Sequence, residues 1–395
     1  MIAPSDLGAL AGKLRVGGRV VDLRGNNLFL GDAYAVAAVR LDAPSGLKPG
    51  DHVVIEGIAA KKRIASARVV EHLPAPPIRG DSEFGRLALD GVGARLLGRA
   101  RALAEIREFF AEQGFVEVDT PVRVPVPGLD PNVDAIGAEG GFLITSPEHQ
   151  MKRLLVGGMP RIYELSHCSR AGEKGPLHEP EFLMLEWYRA FAGQEALMRD
   201  TEQIVARVVR RLNGKPRLRL SDGRTLDMSA PYERLKLRPL FRRFTGIDDP
   251  VELAEHDEAR FFELWVEKVA PALAKLRRPV FVCEWPTSLG LLARACQNDS
   301  SVCERFELYA AGVELCNGFG ELTDAAEQRR RFEVEQRARR QRERPVYDLD
   351  HKLLEALVEG MPPSGGNALG VDRLVMLALG ASGIADVQAF PSDRL

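Results

Sequence analysis

From Phe182 onward the stretch "PLHEPEFLMLEWYRAF" (residues 176–191) reads as a buried β-strand, and Glu186 sits in its middle. A carboxylate buried there without a partner costs several kcal/mol, so any fold that buries this strand must bring Glu186 a positive charge. Side chains alternate across a strand, which puts Phe182, Met184, Glu186 and Tyr188 on one face and Leu183, Leu185 and Trp187 on the other. The leucine–tryptophan face suits a core. The other face mixes an aromatic ring, a carboxylate and a phenol. That mixture fits the floor of a small-molecule site, and it fits equally a sheet closed internally by a Glu186–arginine salt bridge. The strand alone leaves both open.

A chain of 395 residues exceeds one ordinary core, so two or more domains are expected. Residues 11–73 carry short β-branched runs separated by Gly-Asn-Asn, Gly-Asp and Lys-Pro-Gly-Asp turn signals. About five short strands in about sixty residues predict a small all-β barrel of the oligonucleotide-binding (OB) kind. The Pro-rich "LPAPPIRGDSEFG" then breaks the pattern as a linker. The expected division is a barrel at 1–75, a linker at 76–90 and an α+β domain at 91–395. In that domain helical periodicity predicts helices at 92–114, 147–157, 194–213, 234–245, 258–275, 324–343, 350–359 and 371–379. Strands are expected in "FVEVDTPVRV" and at 142–145, 161–168, 181–191, 279–285, 305–310, 312–322 and 367–371, mainly antiparallel. Pro121 has no backbone donor and belongs at an edge or an interface.

A formal net charge of −2 gives no overall attraction to nucleic acid or to a membrane. The 5 cysteines are scattered without a Cys-x-x-Cys pair, so buried free thiols in a reducing cytosol are expected rather than disulfides or zinc. The N-terminus lacks the pattern of a secretory signal, and no apolar run is long enough to span a bilayer, so a cytoplasmic location is expected. "EQRRRFEVEQRARRQRER" interleaves Glu and Gln at helical spacing and reads as a solvated helix with i,i+4 pairs, not as a nucleic-acid patch.

Two further stretches carry charge among apolar neighbours. "ERFELYAAGVELCNGFGELTD" (304–324) reads as a hairpin around 310–312 bearing Glu307, Glu314, Asn317 and Glu321. Carboxylates gathered in one sheet need cations; magnesium with phosphates satisfies two of them, and a substrate ammonium another. "SGGNALGVDRLVMLALG" (364–380) is a Gly-rich strand running into a helix opened by Asp372 and Arg373. Small residues admit a ligand closely, the helix N-terminus favours anions, and the guanidinium of Arg373 can clamp a phosphate. Alone it is an ordinary turn; it gains meaning beside the other two stretches.

Together with "TSPEHQMKRLL", these stretches resemble the catalytic domain of class II aminoacyl-tRNA synthetases of the lysyl subgroup, and within it the branch that lysylates elongation factor P. "FVEVDTPV" is similar to the first, dimer-forming motif of that class. The resemblance implies an antiparallel sheet flanked by helices and an ATP-dependent ligase that activates lysine or β-lysine as an aminoacyl-adenylate. It also implies a homodimer. Glu148 is then expected to hold the amino group near the substrate carboxylate. Glu186, Tyr188 and Glu321 are expected to hold the far ammonium, and Asn317 to contact the carboxylate. Glu307 and Glu314 are expected to bind Mg²⁺ around ATP. Arg170 and Arg373 are expected to contact the phosphates as the catalytic pair, with His178 beside them and Phe182 stacked on adenine.

The second class motif here reads "SRAGEKGPLHEPEF": Arg170 is kept, while Ala171 and Gly172 replace an Asn and a Glu, and Glu179 replaces a second Asn. Glu173 can take the missing Glu's place through a one-residue shift of the loop. Ala368 stands where lysyl-tRNA synthetases are expected to have glycine and the elongation-factor-modifying branch has alanine; its methyl leans the donor toward β-lysine. The barrel has only Phe29 and Tyr34 for stacking on RNA bases, and a modest basic cluster, "AKKR", at 60–63. It is read as a reduced barrel that has lost anticodon reading or that holds a protein partner. A lysine–tRNA ligase, with tRNA as acceptor, and a non-catalytic binding protein with a disabled ATP loop are the alternatives.

Overall fold

The computed structural model describes all residues except Lys61, Lys62 and Ser221; the side chains of Ala9 and Ala60 are also left aside. Two lysines of the "AKKR" cluster thus lie outside the described residues. The chain divides into two compact units, residues 1–100 with 386–389 and residues 101–385 with 390–395.

The first unit is built on a closed barrel of strands Gly12–Arg24, Asn27–Gly31, Val36–Leu41, His52–Ala60 and Arg63–Leu73. The third and fifth strands pair in parallel and the other ladders are antiparallel. Every second residue faces inward, so Val16, Val20, Leu28, Leu30, Val39, Ile55 and Ile64 form one apolar core. The predicted OB-like barrel is present. Tyr34 is exposed, while the Phe29 ring is covered by the Arg24 guanidinium 5.7 Å away. The Pro-rich stretch runs into a π-helical turn, Gly85–Leu89.

The second unit is a mixed sheet of eight strands among the described residues. Their spatial order is Glu233–Lys236, Val280–Pro286, Val302–Ala310, Val313–Gly320, Ser364–Gly370, Glu181–Ala190, Arg161–Ser169 and Val116–Glu117. Only the outermost ladder on each side is parallel. Helix Gln194–Asn213 lays Leu197, Met198, Ile204, Val205, Val208 and Val209 into the interior. It stops at Gly214, whose φ of 74° is the left-handed conformation that a C-cap favours. Helix Val371–Leu379 follows its strand without a loop.

Several expectations shift. The helix expected from 234 begins only at Leu237, because Glu233–Lys236 is an edge strand. The segment 258–275 is interrupted by a π-helical turn at Trp265–Val269. "FVEVDTPVRV" is not one strand: it splits into Val116–Glu117 and Arg123–Val124, and Pro121 lies between them. Helix Pro250–His256 and the hairpin Arg217–Arg219/Thr225–Asp227 were not foreseen. The arginine-rich helix, Ala325–Gln341, does carry i,i+3 and i,i+4 pairs from Glu327 to Arg330 and Arg331. It is not wholly solvated. Arg339 is 1% exposed and binds the carbonyls of Asp130, Val133 and Pro345 and the Asp134 carboxylate. All five cysteines are free thiols. Among the described residues no helix is long and apolar enough to cross a membrane.

Candidate active site

Register builds the site. Glu164 lies directly opposite Glu186, Glu186 opposite Ala368, Ala368 opposite Asn317, and Asn317 opposite Glu307. Directly opposed residues share a face, so four residues singled out from three separate stretches stand in one row across adjacent strands. Two positions along, Tyr188, Gly366, Phe319 and Arg305 form the next row on that face. Above it lies a cavity of about 300 Å³. Glu148, Arg170, Glu173, His178, Phe182, Glu314, Asn317, Ala368 and Arg373 all line it. Glu186, Tyr188, Glu307 and Glu321 do not line its wall; they are buried.

Glu186 is 2% exposed and meets neutral donors: Tyr188 Oη donates to Oε1 at 2.5 Å, and Ser146 Oγ donates to Oε2 at 2.8 Å. No cation pairs with it among the described residues, so the internal arginine salt bridge is not formed. Burial and the nearby Glu148 charge push its pKa well above the usual carboxylate range, against the two hydrogen bonds. The surroundings therefore favour the protonated form of Glu186 more than water does.

Glu321 differs from the expectation in having a cation already. Lys152, 1% exposed, places Nζ 2.7 Å from Glu321 Oε2 and 2.6 Å from Glu148 Oε1. The contacts are close but poorly aligned, so they are ion pairs rather than well-directed hydrogen bonds. Burial opposes the ammonium, but Glu148 and Glu321 outweigh it and raise its pKa. Glu321 is itself pushed up to about 7, by burial first, with Lys152 pulling the other way. Asn317 Oδ1 and both Glu321 oxygens are buried without a hydrogen-bond partner among the described residues.

Two arginines also line the cavity. Arg373 spans the carbonyls of Leu177 and Glu314 and reaches His178 Nε2 at 2.8 Å. Burial and that guanidinium lower the His178 pKa, which favours the neutral ring. Arg170 sits 5.1 Å over the Phe182 ring, and Glu173 lies 3.8 Å from its guanidinium. The altered loop therefore still presents a glutamate to the cavity, one position along from the replaced one.

Glu307 is held on both oxygens, by Arg305 Nη2 and Tyr309 Oη, each at 2.5 Å, and burial pushes its pKa up to about 7. Glu314 is partly exposed with its carboxylate 4.0 Å from Arg373. No group of three or more His, Cys, Asp or Glu is gathered around an ion position among the described residues. Magnesium commonly uses one or two carboxylates and completes its shell with water and phosphates; Glu314 offers a partly exposed carboxylate for such an ion, whereas both Glu307 oxygens are engaged by Arg305 and Tyr309.

Lys152 was not foreseen as part of the site. Its spacing of four from Glu148, among Met151 and Leu155, was the available signal. Ser146 and Arg305 were also missed.

The family of class II tRNA synthetases (D, K and N) matches residues 78–394. The chain belongs to that family. The match takes in the whole eight-stranded sheet and leaves out the five barrel strands. Among curated proteins, the chain is similar to elongation factor P–(R)-β-lysine ligases. The protein of that name from Edwardsiella ictaluri (strain 93-146) is 40% identical over 321 residues, covering 76% of this chain and 96% of the relative. That from Erwinia tasmaniensis is 39% identical over 321 residues with the same coverage, and that from Enterobacter sp. (strain 638) is 40% identical over 319 residues.

Proposed function

We propose that this chain is an ATP-dependent ligase that activates (R)-β-lysine, or lysine, as an aminoacyl-adenylate and transfers it to a lysine side chain of elongation factor P. The observation that carries the reading is the lining of one cavity. Arg170, Arg373 and Glu148 line it together, with Glu186 and Glu321 buried out of its wall, in a chain that aligns with 96% of a relative named for this reaction.

In this reading ATP lies with its adenine on Phe182 and beside Glu173, and its phosphates against Arg170, Arg373 and His178. The amino acid lies against the carboxylates. Glu148 takes the amino group nearer the carboxylate, and Glu186, Tyr188 and Glu321 take the far ammonium. The side-chain NH2 of Asn317 donates to the substrate carboxylate, and the Ala368 methyl shapes the space between. A carboxylate oxygen attacks the α-phosphorus, the bond to the β-phosphate's bridging oxygen breaks, and pyrophosphate leaves. No side-chain nucleophile is needed, so the chain's contribution is alignment and stabilisation of phosphate charge by fixed guanidinium groups. Magnesium held by Glu314 would neutralise phosphate charge. In the second step the acceptor amine attacks the acyl carbon and loses a proton; the bond to AMP breaks and an amide remains.

The relatives' names favour a protein acceptor over tRNA. The reading includes a homodimer through the segment 116–124 and a place in the cytoplasm. Amino-acid-dependent exchange of labelled pyrophosphate into ATP tests activation. Exchange that depends on (R)-β-lysine or lysine is expected. No exchange, with the amino acid still raising the melting temperature, would instead identify a binding protein.

A further inference from the structure

We propose that Lys152 is a positioning residue that fixes the spacing and orientation of Glu148 and Glu321, the two carboxylates that receive the substrate's two amino groups, and so sets which diamino acid fits. The inference rests on the function proposed above and adds a residue with no role in it.

Glu148 and Lys152 sit one turn apart on the helix Glu148–Val156, whereas Glu321 directly follows the strand Val313–Gly320. The ammonium bridges them, taking one oxygen of each: Oε1 of Glu148 at 2.6 Å and Oε2 of Glu321 at 2.7 Å. The second oxygen of Glu321 is left over. A methyl built on Gly366 would lie 2.4 Å from Glu321 Oε1 and 2.3 Å from Tyr188 Cε1, so both groups converge over that glycine, next to Glu186. Glu148 meanwhile lines the open cavity. Each carboxylate is thus pinned on one side by Lys152 and free on the other.

Charge agrees with this division. Of Glu148, Glu186 and Glu321, Lys152 can balance one, so their full ionisation leaves negative charge for a ligand with two ammonium groups; Asp130 and Glu164 add to that charge, and Arg294 is itself paired with Glu304. Desolvated like charges do not stay ionised without such partners. Lys152 is also kept from reacting: two carboxylates hold it as the ammonium, so it is no competitor for the activated acyl group. Arginine would retain the charge, but its planar fork has a different reach and would reset the spacing.

The test uses full-length Lys152→Met and Lys152→Arg in pyrophosphate exchange, with KM measured separately for (R)-β-lysine, lysine and ATP, and melting temperature as a control. Lys152→Met is expected to raise the amino-acid KM by about 30-fold or more while the ATP KM stays within about 2-fold. Lys152→Arg is expected to keep exchange but change the ratio between the two amino acids. Unchanged amino-acid KM values in either folded variant, or equal rises for amino acid and ATP, would overturn the proposal. If Lys152→Met does not fold, the ratio in Lys152→Arg decides. Absence of exchange in the wild type would fail the proposed function instead; the melting shift given by lysine, compared between wild type and variant, then decides the role of Lys152.

Discussion

Glu186 poses the central question at the scale of a residue. Its two oxygens are satisfied by a phenol and a hydroxyl, neither of which carries charge. Burial and Glu148 raise its pKa, so protonation of Glu186 competes with pairing to an ammonium. The sign follows: the protonated carboxyl cannot pair with a cation, and the ionised one can. Amino-acid KM should therefore fall as pH rises through the raised pKa of Glu186, as pyrophosphate exchange measured as a function of pH would show. Glu186→Gln keeps the shape and one acceptor but removes the charge. Losing one partner of a buried charge pair costs about 2–5 kcal/mol, so the amino-acid KM should rise at least about 30-fold, the ATP KM should stay within about 2-fold, and the pH dependence should flatten. Equal losses for amino acid and ATP would mean that Glu186 serves the fold instead.

At the scale of elements, the site is a property of register. Ala368 and Asn317 reach Glu186 because three neighbouring strands align without a bulge at that row. Bulges do occur nearby, between Leu308 and Tyr309 and between Cys283 and Trp285, and a one-residue slip turns every side chain to the other face. Gly366 shows how tight the row is. In Gly366→Ala the new methyl would strike Tyr188 and Glu321 in mid-sheet, where neither can swing away freely. Overpacking of this kind costs about 1–3 kcal/mol, so denaturant unfolding should show that loss, with weakened amino-acid binding.

The same scale explains what was legible beforehand. The two faces of 181–190 follow from alternation alone, and helices 194–213 and 371–379 follow from periodicity and terminal glycines. Lys152 and Arg339 were hidden because a charged residue on a helix reads as solvated unless its partners are known, and theirs are distant in sequence: Glu321 for one, the 130–134 loop for the other. The helix start at Leu237 was misplaced because Glu233–Lys236 becomes a strand only by pairing with Val280–Cys283.

For the whole molecule, chemistry and family coincide in one unit. The cavity's lining residues all fall within 101–385, and the family match begins only after the last barrel strand. The barrel strands lie before the family match and enclose a packed core of their own. The measurement that tests this account most directly is transfer. The full-length chain is incubated with ATP and labelled (R)-β-lysine, with elongation factor P in one reaction and tRNA in another. The account predicts label on elongation factor P as a base-stable amide and none on tRNA; label on tRNA alone, as a base-labile ester, would contradict it.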